Sequence, residues 1–405
     1  MEKRLNISNS CVQGTYWMVY AVVGSFASVF LLARGYSNSE IGVILALANV
    51  VAVVLQPMIA DYADRSKKVS LIGLIQIMAM VMLVLMAALF VLQKKTLALS
   101  VVFLLLLAWH TSLQPLVNSL SFKLAESGYR INFGVARSIG SLFYSILCAV
   151  MGILVERFSV DIMPAGGVIV ILMLMVSLMV TKKQFDKAKA QNLANSSGEV
   201  AAELHTEAEK IEEINLATFL KNNKIFLVMN IGVLGLFFSN QVLNNYMIQI
   251  VTNVGGTSED MGLILSIMAF LEIPVMVCVG ALRKKFSCEL MLKIAAIGFT
   301  VKIAFHYIAT TVGMIYFAQA FQLISFALFL PVMVIFIDEV MRKGEAVKGQ
   351  AFFTMMTTVA SIIGSLIGGV ILDIGGPKML TLIATIFTAV GAVILIMTVD
   401  KVKKN

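Results

Sequence analysis

Residues 35–45 read G-Y-S-N-S-E-I-G-V-I-L, and residues 255–265 read G-G-T-S-E-D-M-G-L-I-L. Gly35, Ser37, Gly42, Ile44 and Leu45 therefore recur 220 positions later as Gly255, Thr257, Gly262, Ile264 and Leu265. Both copies open a long apolar run. Farther along, Pro57, Lys67 and Lys68 recur 217 positions later as Pro274, Lys284 and Lys285. A chain whose two halves repeat in parallel orientation reads as two similar helical bundles in a membrane.

The composition around this repeat agrees. Of 405 residues, 59% are hydrophobic and 13% charged, and the mean hydropathy is +0.93. Soluble domains hold roughly 45–50% apolar and about 25% charged residues, so a soluble fold is excluded. Crossing a hydrocarbon core of ~30 Å takes about 20 apolar residues. Such runs occur at 11–33, 39–60, 69–92, 97–121, 133–155, 163–181, 225–250, 259–282, 289–310, 312–340, 350–372 and 378–398. Lipid cannot satisfy free backbone groups, and no ~10-residue alternating strands occur, so the runs are helices. The first lacks a small-residue cleavage site and reads as a retained helix.

The predicted fold class is thus all-α integral membrane, with twelve transmembrane helices in two six-helix bundles. Residues 1–181 form the first bundle, 182–224 a cytoplasmic linker and 225–405 the second. The linker centre, Asn195-Ser196-Ser197-Gly198, reads as a flexible break, and His205 within it as solvated. Most of the 31 Lys and Arg residues fall on one side when both termini are placed in the cytoplasm, as the positive-inside rule requires. The net charge of +8 then reflects topology and anionic lipid, with no nucleic-acid partner. Cys11, Cys148, Cys278 and Cys288 show no paired metal spacing. With three histidines and no H-E-x-x-H, neither a metal site nor an enzyme is indicated.

After the second run comes Q-P-M-I-A-D-Y-A-D-R-S-K-K, Gln56 to Lys68, which resembles the cytoplasmic loop signature of the major facilitator superfamily. Ala60 stands at its usual glycine and Lys67 at its second, while Asp64 and Arg65 keep their places. The resemblance implies a two-bundle transporter with its solute site near the midplane between bundles, and makes Asp64 and Arg65 a gating charge latch. A plain topological stop signal is the blander reading.

The start of span five, I-N-F-G-V-A-R-S-I-G-S-L-F-Y, is similar to the oligosaccharide:proton symporter branch, the lactose permease-like group. Arg137 matches the family's sugar-binding arginine, and Tyr144 falls where it has a sugar-stacking tryptophan. Seven residues apart, they share a helix face about 10.5 Å along and are expected to face a central cavity. Structural pairing and packing are the competing roles. Glu272, in L-E-I-P of span eight, matches the family's substrate-binding and proton-coupling carboxylate. Lys302 in span nine lies roughly where the family has an arginine near that carboxylate. A Glu272–Lys302 ion pair that merely lowers insertion cost is the structural alternative.

Two departures qualify the match. The second sugar-binding carboxylate of span four is replaced by Asn118 or Ser119, and the His and Glu pair of span ten by Gln322 and Ser325. These departures put both lactose and the family's full proton relay in question, leaving Glu272 to hold most of any coupling role. Polar residues nevertheless recur along faces: His110, Gln114 and Asn118 on span four, Asn240, Gln241, Asn244, Asn245 and Tyr246 on span seven, and Gln319, Gln322 and Ser325 on span ten. They either line a wet solute path or bond helix to helix.

The sequence thus predicts a monomeric carrier in the cell membrane, driving uptake of a sugar or similar small polar solute with protons. Its partners are the solute, protons and lipid, with no cofactor. Export of amphipathic compounds or organic acids by proton antiport, and uncoupled facilitation, are the alternatives. The absence of Gly-Pro between residues 134 and 152 weighs against a drug:proton antiporter.

Overall fold

Each apolar run is helical in the computed structural model, which describes residues 1–65, 69–195, 216–342 and 345–402. The first span comprises α1 (Glu2–Tyr20), a π-helical turn (Ala21–Ser25) and α2 (Ala27–Ala33). Spans two to six are α3 (Asn38–Arg65), α4 (Leu71–Ala88), α5 (Leu97–Ala125), α6 (Phe133–Phe158) and α7 (Ile162–Asn195). After the short α8 (Leu216–Asn222) come α9 (Lys224–Thr252), α10 (Ser258–Arg283) and α11 (Cys288–Ile308). Span ten is split into α12 (Val312–Ala318) and α13 (Phe326–Val340). Spans eleven and twelve run as one trace, α14 (Ala346–Thr398), broken at Gly376 (φ +68°) just before Pro377.

The helices group into two compact units. Unit 1 holds residues 1–36 and 47–206; unit 2 holds 37–46 and 207–405. The first turns of α3 therefore belong with unit 2, a division the hydropathy pattern does not reveal. Helix α7 continues to Asn195, well into the hydrophilic stretch. Lys67, Lys68, His205 and the linker's Asn-Ser-Ser-Gly centre beyond Asn195 lie outside the described residues.

Helix starts account physically for the repeat. Gly35 and Gly255 both take φ +83°, with nothing near an added Cβ, so backbone conformation alone selects glycine at each. Both are followed by reciprocal caps. The Ser37 and Glu40 amides donate to each other's side chains at 2.8 and 3.3 Å. Thr257 and Asp260 do the same at 2.9 and 3.4 Å. Such a box satisfies two orphan amides at a helix end.

The exposed residues of the spans are large and apolar: Val84 is 63% exposed, Val277 73% and Val393 55%. Only a lipid surround makes that surface stable. The core of unit 2 is aromatic, with Phe237 packing on Phe299, Phe326, Phe329 and Phe353 at centroid distances of 5.7–6.0 Å.

Beside that core α9 and α14 touch backbone to backbone. A Cβ on Gly235 would lie 2.6 Å from the Phe387 carbonyl, and one on Gly391 2.6 Å from that of Gly232. Small residues allow such approach in membranes, where packing rather than hydrophobic exclusion drives helix association. Gly235→Val is therefore expected to lower stability by about 1–3 kcal/mol, the cost of overpacking, read as a lower melting temperature in detergent. Gly280→Ala, with open space around its Cβ, should melt unchanged or higher.

Candidate functional site

Unit 1 gathers its polar and aromatic groups from α1, the π-helical turn, α5 and α6. The Arg137 guanidinium lies over the Trp17 ring, 4.1 Å from its centroid, and donates from Nη1 to Ser141 Oγ at 2.9 Å. Gly140 leaves room for this, since a Cβ there would meet the Trp17 ring at 2.7 Å. A cation over the indole face is held there by attraction to the ring quadrupole. One turn beyond Ser141, the Tyr144 hydroxyl and Ser25 Oγ share a 2.7 Å hydrogen bond. The π-helical turn places Ser25 for this contact, as such turns commonly do at functional sites.

Rings extend inward from Tyr144. Tyr20 lies near-parallel to it at 6.1 Å, His110 follows at 5.7 Å from Tyr20, and Tyr16 stacks on His110 at 4.4 Å. His110 is buried, its Nε2 3.2 Å from the Tyr16 carbonyl and its Nδ1 without a partner among the described residues. It therefore packs in the column instead of presenting an open face. Asn118 Oδ1 accepts from Gln13 Nε2 at 3.3 Å, so its carbonyl is used across helices. Gln114 is half-buried and makes no side-chain hydrogen bond among the described residues. Trp17, Tyr20 and Ser25 escaped the sequence reading, although T-Y-W-M-V-Y at 15–20 is an aromatic cluster visible in span one.

Unit 2 holds a chain of charges and amides. Lys302 Nζ on α11 donates to Gln322 Oε1 at 2.6 Å, and Gln322 Nε2 donates to Glu272 Oε1 on α10 at 2.9 Å. The amide gives the cation an acceptor and the carboxylate a donor, the orientation both charges require. Gln322, expected among the solute ligands, thus stands between Glu272 and Lys302, whose direct ion pair was the structural alternative. Lys302 and Gln322 are buried and Glu272 is half-buried.

The chain continues from Lys302 to His306, whose Nδ1 is 2.8 Å from the Lys302 carbonyl, and to Gln319 Nε2, 3.1 Å from His306 Nε2. His306 was also missed by the sequence reading. Gln319 and Gln322 sit on a 3₁₀ turn (Gln319–Gln322) between α12 and α13. A broken helix of this kind is tolerated at membrane depth only where it is buried in protein or lines a cavity. Gly298 admits it, because a Cβ there would lie 2.8 Å from the Ile324 carbonyl.

The polar face of α9 divides in two. Gln241 Nε2 donates to Asn245 Oδ1, and Asn245 Nδ2 to Ser365 Oγ, both at 2.8 Å. Tyr246 donates to the Ser365 carbonyl. Asn245 and Tyr246 thus bond helix to helix, and Gln241 bonds along its own helix. Asn240 and Asn244 make no side-chain hydrogen bond among the described residues. On α3, Arg65 pairs with Asp61, one turn back on the same helix, at 2.6 Å; the side chain of Asp64 lies outside the described residues.

Three solved structures share this fold. A point mutant of the nucleoside transporter NupG matches with a TM-score of 0.77 at 16% identity, over 98% of this chain and 99% of that one. A bacterial homologue of the human lysosomal transporter Spinster gives 0.69 at 10% identity, over 99% and 97%. A POT family transporter bound to a thioalcohol-conjugated peptide gives 0.68 at 11% identity, over 98% and 96%. No curated protein matches the sequence at a significant level. The MFS_1 like family model matches residues 10–383, nearly the whole helical body. The chain belongs to the MFS_1 like family, and is a multi-pass membrane transporter rather than an enzyme.

Proposed function

We propose that this transporter imports a sugar or a similarly small, polar, uncharged solute together with protons. It works as a monomer by alternating access in the cell membrane, with both termini cytoplasmic and residues 182–224 joining the two six-helix halves. The observation that carries the reading is the half-buried Glu272, linked through Gln322 to the buried Lys302 within apolar spans. Ionisable groups at that depth are costly and are kept where charge must move. Glu272 exchanges the proton, while Arg137 and Tyr144 hold the solute, assisted by Gln114, Asn118, Asn240 and Asn244. Asp64 and Arg65 govern conformational exchange instead of binding.

A nucleoside is a second solute class that the half-buried, near-parallel rings of Tyr20 and Tyr144 favour. Near-parallel aromatic rings suit a planar base beside a polyol, and NupG, with the same fold, is a nucleoside transporter.

Uptake into proteoliposomes, with sugars and nucleosides tested in parallel and the lumen alkaline, examines both readings. Accumulation should follow the pH gradient and collapse with a protonophore. Accumulation of any panel solute that ignores the gradient would overturn proton coupling. Arg137→Lys keeps the charge but loses the planar fork, so solute affinity should fall about threefold to tenfold, the worth of a hydrogen bond or so. Its dependence on the gradient should be unchanged. Unaltered affinity would remove Arg137 from the binding site.

A further inference from the structure

At the start of α9 in unit 2 lies a cavity of about 400 Å³, formed where α8, the residues after α13 and the end of α14 converge. Lys221, Lys224, Arg342 and Lys401 line it. Their side chains make no ion pair or hydrogen bond among the described residues. Among the described residues the only lining acid is Glu345, which is 1% exposed. Its Oε2 accepts from Asn223 Nδ2 at 3.3 Å, and its Oε1 has no hydrogen-bond partner among the described residues. Four cations against one carboxylate leave the lining three charges positive. Like charges gathered without counter-ions repel, so the arrangement is suited to an anion.

Three features narrow the anion's identity. Next to the cavity, Ile225, Val228 and Ile231 are 40%, 46% and 53% exposed along α9, an apolar strip running from the cavity along the span. That places acyl-chain surface beside headgroup surface. The orphan Glu345 oxygen is an acceptor, so the headgroup should also carry a donor such as a hydroxyl. The excess of three positive charges favours a net negative headgroup over a zwitterionic one.

We propose that this cavity is a binding site for an anionic, hydroxylated phospholipid of the cytoplasmic leaflet, with its phosphodiester on the four cations. The proposal uses the orientation given above, not the transport reading. Its test needs neither solute nor gradient.

The test is thermal unfolding of the purified full chain in neutral detergent, titrated with phosphatidylglycerol, phosphatidylcholine or soluble sn-glycerol 3-phosphate. A ligand that binds only the folded state raises its melting temperature in a saturable way. Phosphatidylglycerol should do so, with little effect from the other two. The combined variant Lys221→Gln, Lys224→Gln, Arg342→Gln and Lys401→Gln should weaken the lipid response about tenfold or more, as each such cation contributes to anionic-lipid affinity. Lys284→Gln with Lys285→Gln, which removes charge away from the cavity, should leave it intact. Native mass spectrometry supplies a second readout if the combined variant melts low, since retained phosphatidylglycerol adducts would then overturn the site. Equal stabilisation by phosphatidylcholine, or a full response in the combined variant, would also overturn it. A full effect from sn-glycerol 3-phosphate would overturn the lipid as occupant.

Discussion

Glu272→Gln is expected to abolish solute accumulation driven by a pH gradient while leaving downhill exchange measurable. A gradient of one pH unit is worth about 1.4 kcal/mol per proton and sustains roughly tenfold accumulation. Loss of coupling should therefore bring the internal-to-external ratio from about ten to about one under that gradient. The physical ground is the three-residue chain. Gln322 donates to Glu272 and accepts from Lys302, so its amide feels the charge on both ends. A proton on Glu272 weakens its claim on the Gln322 donor and leaves the buried Lys302 relatively uncompensated. The two proton states then favour different local arrangements, which is what coupling requires.

A glutamine at 272 keeps the size and one acceptor but fixes the neutral state. The structural alternative, in which Glu272 only balances Lys302, makes a different prediction. Glu272→Gln would then fold poorly, and adding Lys302→Met would restore it. A well-folded Glu272→Gln variant that still accumulates solute against the gradient would end the coupling role.

The fold was legible because its cause is local. Length and hydropathy dictate a span, and the glycine and cap at each repeat, Gly35 with Ser37 and Gly255 with Thr257, dictate where the helix begins. The sites were only partly legible. Arg137 and Glu272 stand out as charges in apolar runs. Gln322 does not, because an amide that binds solute and an amide that bridges two charges look alike in sequence. Its partners lie 20 and 50 residues away. The same limit applies to α9. Asn240 and Asn245 belong to one polar stripe, yet only Asn245 meets Ser365, 120 residues distant. Trp17 was read as part of a hydrophobic span, and nothing local says that an arginine on α6 will lie across it. Distant partners come from packing, which hydropathy does not encode.

Gly369→Val should free the start of α3 from α14, raising amide hydrogen exchange across residues 38–46 by about tenfold. In unit 2 this joint is tight. A Cβ on Gly369 would lie 2.2 Å from the Asn38 carbonyl, and one on Gly42 2.3 Å from the Ser365 carbonyl. Close approach lets Asp373 cap the helix: Oδ1 accepts from the Asn38 amide at 3.1 Å and from its Nδ2 at 2.9 Å, and Oδ2 from the Ser39 amide at 2.8 Å. Gln249 Nε2 then donates to Asn38 Oδ1 at 2.9 Å. A valine must push the backbones apart, costing about 1–3 kcal/mol, and the cap breaks with them. Local opening of that size appears directly as faster exchange. Asp373→Asn keeps the close approach and one acceptor oxygen, so its effect should be smaller, near the ~1 kcal/mol of a lost cap. The start of α10 is the internal control. Its own box of Thr257 and Asp260 should hold exchange across 258–264 constant in both variants. Equal acceleration at both helix starts would mean that Gly369→Val loosens the fold generally, and the joint would lose its special status. Unchanged exchange across 38–46 would mean that the Ser37–Glu40 box alone holds the first turn of α3.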